Sequence, residues 1–264
     1  MIAARSLSVS IGRTRILHDV SIEARPAAIT AIIGPNGSGK TTLLKALSGE
    51  LSYEGTVGIN GRSLAELKPW QAAAMRAVLP QAAALSFPFT VREVVGLGLT
   101  NARPGMLPGE EYNLPERALS RVGLAGYGGR HYQELSGGEQ QRVQLARVLC
   151  QVWAPVLEGV PRYLLLDEPV SSLDIRHQLT IMDIARDFAR RGGGVVAVLH
   201  DLNLTAMYAD HIHVMQGGRQ AASGAPAEVL VDSLLEKVFG CKLRVGAVPP
   251  NGAPFVLPQS AAAS

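Results

Sequence analysis

One octapeptide constrains this chain more than any other feature: Gly34-Pro35-Asn36-Gly37-Ser38-Gly39-Lys40-Thr41. It fits the spacing G-x-x-x-x-G-K-[ST], and Thr42 follows it. Ala27 to Ile33 before it is a short β-branched run that predicts a buried strand. Thr41 to Leu47 after it has helical character. Glycines let the backbone curl so that successive N–H groups point inward at anionic oxygens. The following helix adds its positive N-terminal end. In such a cradle Lys40 reaches the β- and γ-phosphates of a nucleotide and the Thr41 hydroxyl binds Mg²⁺. An ordinary Gly-rich turn rarely matches four fixed positions with the right elements on both sides.

A phosphate cradle of this kind needs an acidic partner. Tyr163-Leu164-Leu165-Leu166 reads as a strand buried on both faces, and Asp167-Glu168 closes it. Ligands of open α/β sheets sit beyond the carboxyl ends of the strands, where both acids fall. Asp167 is placed to hold Mg²⁺, and Glu168 to polarise or deprotonate an attacking water. Val195 to Leu199 repeats the pattern and ends in His200-Asp201. A histidine at that rim is placed to contact the γ-phosphate or the water; a structural hydrogen bond is the plainer alternative.

The rest of the chain fits around these strands. Ser6–Ser10, Ile16–Ile22 and Gly55–Ile59 read as strands, and so does Ile212–Met215 near the end. Asp174–Arg190 and Leu202–Tyr208 read as helices. Between Thr90 and Cys150 the pattern turns helical, at Val91–Gly96 and Glu116–Val122, with loops at Arg103–Gly109 and Gly126–Gly129. Strands alternating with helices predict an α/β fold: a P-loop NTPase core with a mostly parallel sheet, an antiparallel N-terminal β part and an inserted helical subdomain. The expected organisation is one domain over 1–248, with the helical insertion at about 88–152, and a loose Pro/Ala-rich tail over 249–264.

Composition removes other classes. With 264 residues, 47% hydrophobic and 18% charged, the chain is long and apolar enough for a core. No apolar run approaches the roughly 20 residues of a membrane span. Arg5 interrupts the N-terminus early, so no secretory signal is expected. Two cysteines, Cys150 and Cys241, cannot form a disulfide framework or a Cys-based metal site, which fits a reducing compartment. Lys and Arg exceed Asp and Glu by 25 − 22 = 3, without a basic block, so no nucleic-acid partner is expected. His211 and His213 share one strand face, where ordinary strand packing is the expected role. Cys150 reads as a small buried apolar residue.

A second anion site is suggested at Leu135-Ser136-Gly137-Gly138-Glu139-Gln140, ahead of the amphipathic run Gln141–Gln151. Ser136 and Glu139 form an S-x-x-E capping box, and Gly137 and Gly138 allow close approach of an anion. A well-capped helix without a ligand would look the same.

Taken in order, the Gly34–Thr41 loop, Gln81 after the strand-like Ala77–Pro80, Leu135–Gln140, Leu164–Glu168, Ser172-Leu173-Asp174 and His200 resemble the ATP-binding subunits of ABC transporters. The resemblance runs from residue 5 to about residue 246. It implies a head-to-tail dimer of two copies with two ATP molecules between them. Each ATP would meet the loop of one copy and Ser136 and Gly138 of the other. Gln81 would contact Mg²⁺ and the water, Asp174 would cross the interface, Glu168 would be the base and His200 the γ-phosphate switch. Transmembrane permease subunits and, indirectly, a periplasmic substrate-binding protein are the implied partners, at the cytoplasmic face of the inner membrane.

Within this family, Val78–Gln81 with Phe87–Val95 is similar to the iron-chelate, cobalamin and hemin importers. The stretch from Glu134 to Glu168 looks most like the hemin importers. Phe87-Pro88-Phe89 falls where related subunits receive a helix of the permease; filling the helical core is the alternative. The chain departs from the family in having no aromatic residue before Tyr53 to stack on adenine. Ile11 or a nearby arginine sits there, which implies loose base selectivity. Val170 stands where Thr is commoner, with little consequence expected. A ferric siderophore or cobalamin importer, or an ABC ATPase unconnected with transport, is the alternative function. A P-loop kinase or GTPase would not need Leu135–Gln140, and the guanine-reading N-K-x-D motif is missing.

Overall fold

The apolar runs become neighbouring strands of one sheet. In chain order the strands are β1 (Ile2–Ile11), β2 (Thr14–Ala24), β3 (Ile29–Ile33), β4 (Glu54–Ile59), β5 (Arg62–Ser63), β6 (Arg76–Leu79), β7 (Val156–Leu157), β8 (Val160–Pro161), β9 (Tyr163–Asp167), β10 (Gly194–Val198), β11 (His211–Gln216) and β12 (Arg219–Gly224). The helices are α1 (Lys40–Ser48), α2 (Pro69–Met75), α3 (Val91–Gly96), α4 (Leu114–Arg121), α5 (Gly137–Gln151), α6 (Ile175–Arg190), α7 (Leu202–Tyr208), α8 (Pro226–Val229) and α9 (Asp232–Phe239). This computed structural model describes residues 1–81, 87–100, 110–171, 173–249, 252 and 254–261. The expected Arg103–Gly109 loop and Ser172 lie outside the described residues.

The six-stranded sheet has the order β12-β11-β3-β10-β9-β6. β11, β3, β10, β9 and β6 run parallel, and β12 closes one edge antiparallel to β11. All five residues of β3, β9 and β10 are buried, as both-face burial of a parallel sheet requires. Alternation along each strand divides the core in two. Leu164, Leu166, Val195 and Ala197 pack with the helices α3 to α7. Tyr163, Leu165, Val196 and Val198 pack with α1 and the N-terminal strands.

The N-terminal sheet, β2-β1-β4-β5, is antiparallel. Its strands start earlier than their apolar runs suggest, and β1 shifts register three times against β2 and once against β4. Ser6 and Asp19 take positive φ there. The Ser21 hydroxyl accepts the Ser6 N–H and the Ser8 hydroxyl accepts the Asp19 N–H, each at 3.0 Å. Side chains thus occupy donors that the shifted ladder leaves over.

Between β6 and β9, helices α3, α4 and α5 pack together as the helical layer. The described part of the Pro-rich tail carries a turn, Pro258–Ser260, against α7. Gln259 Nε2 donates to the Asn203 carbonyl at 3.3 Å. Leu257 and Phe255 line one cavity with Leu202 and Ala206 of α7. No helix among the described residues is long and apolar enough to cross a membrane.

Candidate functional site

Three neighbouring strands, β3, β10 and β9, end at one rim, and each delivers part of the site. β3 leads into the loop Gly34–Gly39 and α1 begins at Lys40. Gly34 sits at φ 147°, and a Cβ there would drive into the Met215 carbonyl. Gly39, the N-cap of α1, is left-handed at φ 96°, and its Cβ would lie 2.6 Å from Leu17 Cδ2. Only glycine fits both turns. No side chain caps α1 and no acid occupies its first turn, so its N–H donors remain for an external anion.

Lys40 is buried, and Nζ donates to the carbonyls of Gly34 at 2.9 Å and Pro35 at 3.0 Å. Burial lowers its pKa, and the charges of Glu168 and Asp167 oppose that. The buried Ser38 hydroxyl has no hydrogen-bond partner in the loop, so an acceptor from a ligand would satisfy it.

Asp167 ends β9, buried, with Oδ1 accepting the Thr41 hydroxyl at 3.1 Å. Burial raises its carboxyl above the usual range, the Thr41 hydrogen bond lowers it, and the Glu168 charge raises it further. A hydroxyl and a carboxylate oxygen side by side suit a hard cation such as Mg²⁺, which prefers oxygen and retains waters.

Glu168 follows at φ 51°. Its Oε2 accepts Gln81 Nε2 at 2.9 Å, and its Oε1 lies 2.7 Å from His200 Nε2. His200 follows β10 and Gln81 follows β6, so the sheet order brings the three together from distant parts of the chain. Asn36, Gly37, Ser38, Gly39, Lys40, Thr41, Thr42, Gln81, Glu168 and His200 line one cleft of about 630 Å³. Gly34 and Pro35 do not line it but accept Lys40 Nζ on their carbonyls.

The cleft also contains Ile16. Ile11, which the resemblance sets at the adenine end, is exposed at the β1–β2 turn. Register slips along β1 and β2 set which side chain reaches the loop, and these are not visible in hydropathy.

Ser136, Gly137, Gly138 and Asp174 do not line the cleft of their own chain. Ser136 N-caps α5: its N–H and hydroxyl donate to Glu139 Oε2 at 2.9 and 2.7 Å. The hydroxyl and backbone hydrogen bonds of Ser136 hold the Glu139 carboxyl below its usual range. Asp174 N-caps α6, accepting His177 N–H at 2.9 Å with His177 Nδ1 at 2.8 Å, and these bonds lower its pKa. Sequence reasoning missed Gln141, whose amide reaches the carbonyls of Glu168 and Pro169. Phe87 is 69% exposed and meets Phe89 edge-on at 6.1 Å, while Phe89 packs into the helical core. Phe89 thus fills the helical core, and Phe87 stays at the surface.

Outside the cleft the histidine pair behaves as strand residues. Ser223 Oγ lies 2.7 Å from His211 and 3.0 Å from His213. Burial pushes the pKa of His213 down to about 4. Cys150 is buried and its thiol is raised to about 12.

Residues 17–171 match the ABC transporter family. Over 260 residues the chain is 68% identical to the hemin import ATP-binding protein HmuV of Mesorhizobium japonicum, covering 98% of this chain and 99% of that protein. It is 61% identical to the HmuV protein of Rhizobium meliloti over 263 residues, 99% of each. Its fold matches a solved ATP-binding subunit of an ABC transporter at TM-score 0.76 and 23% identity, covering 94% of this chain and 95% of that one. Likeness of this extent, around a cleft built for a nucleotide's phosphates, makes the chain a member of the ABC transporter family and one of its ATP-binding proteins.

Proposed function

We propose that this chain hydrolyses ATP to energise hemin import, as a peripheral subunit at the cytoplasmic face of the inner membrane. It would work as a head-to-tail pair with transmembrane permease subunits, fed indirectly by a periplasmic substrate-binding protein. One observation carries the enzymatic reading: the Glu168 carboxylate is held between Gln81 and His200 at the mouth of the Lys40 cradle. The hemin relatives carry the choice of substrate.

The nucleotide's phosphates lie over Ser38 to Thr42, and Lys40 exchanges its two carbonyl acceptors for phosphate oxygens. Thr41 and Asp167, with Gln81, would hold Mg²⁺, which screens phosphate charge when bound. Glu168 takes a proton from water as its oxygen attacks the γ-phosphorus, and the bond to the ADP oxygen breaks. His200 contacts the γ-phosphate and orients Glu168. Ser136, Gly137, Gly138 and Asp174 act across the interface, which accounts for their place outside their own cleft. Contacts to the γ-phosphate from both copies favour the closed pair, and hydrolysis removes them, so the pair reopens. Residues 1–248 act as the single ATPase unit, and the exposed Phe87 meets the permease.

Gene deletion tests the whole reading. Growth on hemin is expected to fail and to return with wild type but not with Glu168→Gln. Loss of ferric siderophore or cobalamin use, with hemin use intact, would keep the ATPase and change its cargo. Normal uptake of all three would point to an ABC ATPase outside import.

A further inference from the structure

Glu168 is the one non-glycine residue lining the cleft, among those described, whose backbone takes positive φ. Such a conformation costs about 1–3 kcal/mol and persists only when its surroundings fix it. Ser171 supplies one clamp from within the loop, donating to the Glu168 carbonyl from its N–H at 3.2 Å and its hydroxyl at 3.0 Å. Gln178 of α6 holds the far end of the loop, donating to the Leu173 carbonyl at 3.0 Å.

The remaining clamp comes from another layer. Gln141 of α5 donates to the Glu168 carbonyl at 3.1 Å and to the Pro169 carbonyl at 2.8 Å, through the same Nε2. Both N–H bonds of its amide are therefore engaged on two consecutive peptides. α5 also touches the loop one turn earlier, where a Cβ on Gly138 would lie 2.9 Å from Leu173 Cδ2. Gln141 stands five residues beyond Ser136, about 7.5 Å along one continuous helix. A helix segment so short moves as a unit, so a displacement of its start is delivered to the Glu168 peptide.

We infer that Gln141 is a positioning residue through which the start of α5 sets the Glu168 carboxylate. The inference rests on the proposed sandwich, in which the start of α5 meets the nucleotide of the partner copy. The helix that senses one nucleotide then fixes the base acting on the other. This makes the two sites interdependent without any contact between the nucleotides.

Three single variants and one double variant test it, with kcat and KM for ATP and the melting temperature measured for the single ones. Gln141→Ala removes the clamp, and Gln141→Glu keeps the shape but turns a carboxylate on two carbonyls. In both, kcat is expected to fall about 10- to 100-fold, the scale of a small misplacement of a reacting group. KM stays within about twofold, because nucleotide binding does not use Gln141. Gln141→Lys restores N–H donors at similar reach and is expected to recover kcat to within about threefold of wild type. The double variant Gln141→Ala/Glu168→Gln is expected still to form an ATP-dependent dimer, and its failure to do so where Glu168→Gln alone dimerises overturns the inference. Unchanged kcat in the first two variants overturns the inference. Joint loss of kcat, KM and melting temperature in all three also overturns it, since that marks a structural role. If wild type lacks turnover, or Glu168→Gln alone stays monomeric with ATP, the proposed function falls first and the inference with it.

Discussion

The starts of α1 and α5 both precede phosphate-type chemistry, yet they are finished differently. α1 begins at a left-handed glycine with no side-chain cap and no acid in its first turn. α5 begins with a closed capping box, and Glu139 adds a carboxylate to its first turn. The first helix start has donors to spare and a buried lysine beside it. The second has one first-turn donor, the Glu139 N–H, taken by the Ser136 hydroxyl and holds a negative charge where an anion would come. Under the proposed function, the difference means that α1 binds a nucleotide within one chain, whereas α5 meets one only when a partner brings it. Binding is then a property of one chain, and turnover a property of two.

The largest effect that would separate binding from turnover is in Glu168→Gln. It keeps the shape of the base and loses its basicity, so kcat falls by about 10³ with ATP still bound. Gel filtration with ATP and Mg²⁺ should show a dimer, and a persistent monomer would break the division of labour. Lys40→Ala attacks the α1 side and should weaken ATP about 10- to 100-fold, the value of a charge-assisted contact, in a nucleotide titration. Ser136→Arg attacks the α5 side. Turnover should fall at least about tenfold by interface obstruction, while titration of the single chain gives an unchanged ATP affinity. Weakened affinity there would show that the two helix starts do not divide as described.

The smallest effect sharpens the comparison. Glu139→Gln removes the charge at α5 and should tighten the ATP-dependent dimer by about 0.3–1 kcal/mol, the range of a helix-end charge. It also changes the acid response. The folded pKa of Glu139 is depressed, so its contribution is present above the unfolded value and is lost as pH falls through the folded one. Melting curves at falling pH should show that acid-dependent step in wild type and a smaller one in the variant.

Much of this molecule was legible in residue order because its strands are buried on both faces. Continuous apolar runs gave β3, β9 and β10 within two residues, and polar residues directly after them gave Asp167, Glu168 and His200. The expected helices Val91–Gly96 and Leu202–Tyr208 match α3 and α7 end for end. α2 was missed because only Ala72 is buried on it, leaving no apolar stripe to read. The edge strand β12 was missed because Arg219 to Gly224 is polar and half exposed. α9 buries only Leu235 and Val238. Site residues were legible where their own neighbours created the chemistry. Ile16 and Gln141 were not, because one depends on slipped strand register and the other on backbone carbonyls 27 and 28 residues away.

The alternation along β9 and β10 gives each strand two audiences. Leu164, Leu166, Val195 and Ala197 answer to the helical layer, and Tyr163, Leu165, Val196 and Val198 answer to α1 and the N-terminal sheet. Substitutions that remodel one side leave the other side's neighbours in place. A lineage can therefore repack the helical layer away from the start of α5 while the α1 face of the sheet keeps its contacts. In this architecture the sheet parts the packing that may drift from the cradle that is kept, except where α5 reaches Glu168.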